Sequence, residues 1–190
     1  MGREGIEGFD GTHYHPIRVD LSTHALTTIS YEHHEVHAGS FFSAYDTTAN
    51  IGVEAAPEDA IQLTWLTPAI KEVHMVIHAK CTAAAVFTFT EGWTGGAGGG
   101  VAVTAYNRDR GSSKTSGVTL LLKENTAVVT GGTVLETETL TAGKFDAGES
   151  RGSQEWILKK NTLYAAALYL SAAGVASISL NWYEHTNKGN

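Results

Sequence analysis

The chain has 190 residues, 42% of them hydrophobic, and a formal charge of −7, which supplies one sizeable core and shows no compositional break that requires a second domain. The acidic balance excludes a protein whose main partner is a phosphate backbone, since such binders cluster Lys and Arg, and the only local basic cluster is "NRDRGSSK" at 107–114. A single cysteine, Cys81, excludes an internal disulfide framework and fits folding in a reducing cytoplasm, and no run of about 18 apolar residues offers a membrane span.

Residues 1–22 lack sustained periodicity and a hydrophobic segment, so they read as an extended arm with neither anchor nor secretion signal. Strands are expected from Leu26 to His37 and from Ser40 to Tyr45. On such a strand His33, Glu35 and His37 share a face, a spacing able to offer imidazole and carboxylate ligands to zinc. Histidines bonded to their neighbours account for the same pattern, so no metal or other cofactor is expected. "APEDA" at 56–60 reads as a short turn of helix with Pro57 at its first position. After a strand at 61–66, Val73, Met75 and Ile77 alternate with Glu72, His74 and His78, as a strand with one face on a core requires. Cys81 then reads as a small buried hydrophobe.

A further strand over 84–91 leads to "TGGAGGG" at 94–100. This stretch has no Gly-x-Gly-x-x-Gly in register and no following Lys-Ser or Lys-Thr, so it reads as a hairpin loop and not as a phosphate cradle. "VAVTAYN" and "GVTLLLK" are strands flanking a long polar loop, "NRDRGSSKTSG". In "TVLETETL", Glu136 and Glu138 read as a solvated face. "EWILKK" and "TLYAAALYL" follow, the latter kept as a strand buried on both faces although Ala and Leu favour helix. In the last strand Ile178, Leu180 and Trp182 oppose Ser177, Ser179 and Asn181.

About ten short strands separated by glycine-rich turns indicate an all-β chain. The expectation is a single-domain antiparallel β-sandwich, jelly-roll-like, over 23–190, with the extended N-terminal arm at 1–22. Hydrolase elbows and His-Glu-x-x-His helices are absent from the sequence, so no enzyme is expected. In "DAGESRGSQEW", Glu149, Arg151 and Glu155 read as an ion-pair network with Arg108 or Arg110 that fixes a loop or a subunit contact. Tyr-Glu-His occurs at 31–33 and again at 183–185, with flanks that do not match. Duplication is thereby excluded, and the reading is two adjacent strands with Tyr31 and Tyr183 packed and Glu32 and Glu184 as interstrand partners.

Three stretches, "ISYEHHEVHAGSFFSAY", "ESRGSQEWILKKNTLYAAAL" and "ISLNWYEHTNK", together resemble tailed-bacteriophage virion proteins of the head decoration, or auxiliary capsid, type. The resemblance implies a jelly-roll or similar β-sandwich, a homotrimer on the capsid surface, and the major capsid protein as partner, with no nucleic acid and no membrane. It implies assembly in the host cytoplasm and stabilisation of capsomer contacts. An arm that orders on a neighbour would use Phe9, Tyr14 and Ile17, and the loop contacts would use Arg108, Arg110 and Arg151. The alternative is a tail or baseplate component that binds host glycans, with Trp93 exposed as a sugar platform.

Overall fold

A computed structural model describes residues 7–9, 14–16, 31–51, 60–95, 100–124, 129–141 and 155–186. The chain divides into two compact units, 1–34 and 35–190. In the first, β1 (Glu7–Phe9) pairs antiparallel with β2 (Tyr14–Pro16). Helix α1 (Tyr31–His37) spans the division.

The second unit is an antiparallel β-sandwich. Its strands are β3 (Phe41–Ile51), β4 (Ala60–Leu66), β5 (Glu72–Cys81), β6 (Ala85–Glu91), β7 (Val101–Ala102), β8 (Tyr106–Asn107), β9 (Thr119–Glu124), β10 (Thr133–Leu140), β11 (Trp156–Leu158), β12 (Leu163–Leu170) and β13 (Gly174–His185). One sheet runs β10-β6-β12-β4-β9-β7 and the other β11-β5-β13-β3-β8. Between them lies the core. Val73, Met75, Ile77, Ala79 and Cys81 of β5 and Ile178, Leu180 and Trp182 of β13 meet Leu63, Trp65, Phe87, Phe89, Tyr164 and Leu168 of the facing sheet. The period of two read from 71–80 and 177–182 is therefore the core alternation, and Cys81 is buried within it. Trp65 stacks on Phe89 at 5.9 Å and on Tyr164 at 6.0 Å, which joins three neighbouring strands by their largest side chains.

Strand β12 is buried on both faces, because its outward alanines also lie under side chains. Trp93 and Val129 pack on Ala165 there, and the Trp93 indole N–H donates to the Tyr164 carbonyl at 3.1 Å. Packing overrides the helix propensity of Ala and Leu.

Three expectations from the sequence are overturned. Residues 31–37 form a helix, closed by Gly39 at φ 66° with Gly39 N donating to Val36 O and Ser40 N to Glu35 O, both at 2.9 Å. That is the Schellman arrangement, and the glycine after the helix supplies the left-handed residue it requires. "VAVTAYN" is divided: β7 pairs with β9, and β8 pairs with β3 in the opposite sheet. Glu136 and Glu138 do not lie on a solvated face; they are half-buried and register with the core residues Phe89 and Phe87. Their strand is a sheet edge, where inward-pointing charge discourages pairing with another chain. Burial, and then the neighbouring Glu138 carboxylate, push the Glu136 carboxyl above its ordinary value. The turn expected around Pro57 lies outside the described residues.

Candidate functional site

Residues 101–107 cross from the edge of one sheet to the edge of the other, closing one side of the sandwich. Val103 and Ala105 turn inward onto the core, so Tyr106, next to Ala105, turns out. Val101 is 71% exposed and Tyr106 47%, and Tyr45 on β3 beside them is 67% exposed. Tyr45, Val101, Tyr106 and Leu122 line a shallow depression of about 240 Å³.

The basic loop follows directly. Asn107 is buried, and its amide donates to the carbonyls of Gly39 at 2.9 Å and Lys114 at 3.0 Å. Its side-chain oxygen accepts from Asp109 N, whose own carboxylate accepts from Gly111 N. These bonds fix the loop backbone and leave two exposed guanidinium groups on top of aromatic rings. Arg108 lies 4.7 Å above Phe41, and Arg110 lies 5.7 Å above Tyr106. The structure thus brings Arg108 and Arg110 together with Tyr45, Val101 and Tyr106, apolar residues that sequence reading did not single out. Short period-two runs do not reveal which residues flank a sheet crossing.

Of the ion-pair network expected among Glu149, Arg151, Glu155 and these arginines, Glu155 is described, and it lies 3.5 Å from His74 Nδ1. Arg151, Glu149 and Ile17 fall outside the described residues. Phe9 and Tyr14 are described only as backbone positions on β1 and β2.

The candidate metal set His33, Glu35 and His37 does not share a face. On a helix the residues at i and i+4 align while i+2 lies well round the axis, and Glu35 is buried where His33 and His37 are exposed. Trp93 is likewise no platform: it is 7% exposed, with Lys123 Nζ 5.2 Å from its ring centroid.

The second Tyr-Glu-His, at the end of β13, carries three separate roles. Register places Tyr183 beside Phe41 on β3 and His74 on β5, and the three rings form a row on the outer face, with centroids 6.2 and 4.6 Å apart. His185 extends the row, 4.8 Å from His74. Glu184 faces inward. Because residues 31–33 are helical, Glu32 and Glu184 are not ladder partners. The Glu184 carboxylate accepts from Ser116 Oγ at 2.6 Å, Gly117 N at 2.9 Å, Trp182 Nε1 at 3.1 Å and Lys71 Nζ at 3.2 Å. It pins β13 to the segment entering β9, which belongs to the opposite sheet.

Burial pushes the His74 imidazole below its ordinary 6.5, against the upward pull of Glu155. His74 Nε2 lies 2.9 Å from His185 Nε2, and His74 Nδ1 lies 3.0 Å from the Tyr183 hydroxyl. His74 and His78 share the outer face of β5, as the alternation indicated.

No protein family, no curated protein and no solved structure matches this chain.

Proposed function

We propose that the chain is a structural protein of a tailed-bacteriophage virion, of the head decoration type, which binds the outer surface of the shell as a homotrimer and stabilises contacts between capsomers. The motif resemblance supports the virion assignment, and the role requires no catalysis. The observation that carries the proposal is the side wall. Tyr and Arg are the residue types that dominate protein interfaces, and here Arg108 and Arg110, on a loop held in place by hydrogen bonds, stand beside the exposed strand residues Tyr45, Tyr106 and Val101. A pre-ordered loop loses little freedom on docking. Many copies, each making a modest contact, would bind a repeating shell through multivalency. Phe9, Tyr14, Ile17 and Arg151 are proposed as further contacts. The glycan-binding alternative relied on an exposed Trp93, and the buried ring removes that support.

The test is light scattering on the purified protein, followed by sedimentation with shells that lack it. A trimer that co-sediments to saturation, and loses binding in Tyr106→Ala and Arg110→Ala while remaining folded, is the expected result. Protein that stays in the supernatant, or binding indifferent to both substitutions, would refute the proposal.

A further inference from the structure

On β5, Glu72 and His74 are two residues apart and share the outer face; on β13, His185 is the register partner of Glu72. Two adjacent strands therefore bring a carboxylate and two imidazoles to one spot, and one ligand atom of each lies within 4.8 Å of the others. Among the described residues this is the one such group of three. We propose that Glu72, His74 and His185 bind a single divalent transition-metal ion of the zinc type, with a further position open to water. This inference goes beyond the assembly role and does not depend on it.

Three features support it. The first is spacing. Two nitrogens each about 2.0–2.1 Å from zinc stand about 2.9–3.4 Å apart at angles of roughly 90–110°, and the two Nε2 atoms are 2.9 Å apart. The second is the tilt of 40° between the imidazole rings, which lets both nitrogens converge where parallel stacked rings would aim them along separate lines. The third lies behind the ligand. A metal-bound imidazole turns its other N–H toward a carboxylate, carbonyl or water that fixes the tautomer. Behind His74, at Nδ1, stand the Tyr183 hydroxyl at 3.0 Å and Glu155 Oε1 at 3.5 Å. That oxygen is buried and makes no hydrogen bond among the described residues. It is an acceptor already placed for the N–H that metal binding would fix on Nδ1.

All three ligands are partly exposed, so an ion reaches them from solvent. The competing cation is Lys160, whose Nζ lies 3.7 Å from Glu72 Oε1. The donor set of two imidazoles and one carboxylate suits zinc, nickel, copper or iron and disfavours calcium and magnesium, which prefer all-oxygen sites.

The experiment is calorimetric titration of zinc chloride into the chelator-treated full-length chain, with thermal unfolding recorded beside it. The chain carries nine histidines, so the variants decide. The expected result is saturable binding of one ion per chain and a zinc-dependent rise in Tm. His185→Ala and Glu72→Gln should each weaken binding by about tenfold or more, while His78→Ala and the His33→Ala/His37→Ala double variant leave it unchanged. Circular dichroism identifies any variant that fails to fold; should His185→Ala fail, the conservative Glu72→Gln decides. Binding that survives Glu72→Gln, disappears with His33 and His37, or never saturates would overturn the proposal.

Discussion

Replacing Glu184 with alanine should destabilise the sandwich more than any other single carboxylate change discussed above. Its side chain is 0% exposed while that of Lys71, its ionic partner, is 41% exposed, so the loss falls unequally. Lys71 recovers water, and its share is worth under about 1 kcal/mol. Gly117, an exposed residue, recovers it too, but Trp182 Nε1 does not: the indole belongs to a fully buried ring and loses the carboxylate oxygen that accepts from it at 3.1 Å. That stranded donor costs about 1–3 kcal/mol. With the hydrogen bonds that Ser116 Oγ and Gly117 N make to the charged carboxylate also lost, the total is about 3–5 kcal/mol. That is a large part of the roughly 5–15 kcal/mol that holds a domain folded. Urea unfolding should show a lower midpoint at unchanged slope, with Glu184→Gln intermediate because its amide nitrogen faces other donors. A cost below about 1 kcal/mol for Glu184→Ala, or an equal cost for Lys71→Ala, would refute the idea that this carboxylate links the sheets.

Gly39→Ala should cost at least about 1 kcal/mol in urea unfolding, since φ is 66° and a Cβ would strike Ser112 Oγ; a neutral result would show that the helix end relaxes. Tyr164→Phe keeps the ring stack but removes the hydroxyl that donates to Glu91 at 2.8 Å and accepts from Lys159 N at 2.9 Å, at about 1–2 kcal/mol. The Glu91 carboxyl, held below its ordinary value by the Lys159 hydrogen bond and then by Tyr164, should titrate higher in that variant by NMR. Glu91 contributes stability above the carboxylate range of the unfolded chain and loses it as pH falls through its depressed folded value. Glu136 has the opposite sign: its raised folded value means stability is lost as pH rises through that value, so Glu136→Gln should raise Tm at neutral pH and lose the advantage below the carboxylate range, near 4.5.

What the sequence made legible follows from where the information lies. β5 and β13 each pack one face on the core, so alternation alone identified their inward residues. The helix at 31–37 was hidden because "YEHHEVH" contains little apolar material from which to read a period; the signal that marks its end is Gly39, whose meaning comes from the chain that must turn there. Trp93 was misplaced for a related reason. A tryptophan beside glycines looks exposed, yet the outward face of β12 bears only Ala165 and Ala167 in the stretch nearest it, and those small residues leave room that the indole fills. The histidine cluster needed register more than pattern. Glu72 and His74 are visible as neighbours on one face, but His185 lies more than a hundred residues away and joins them only because β13 runs antiparallel to β5 with His185 opposite Glu72. A slip of one residue would turn His185 to the core and Glu184 to solvent, breaking both the cluster and the inter-sheet link. Glu184 and His185 therefore constrain the register of the last strand from opposite faces. The repeated Tyr-Glu-His carries this meaning only in its second copy, where a strand sends alternate residues to opposite sides.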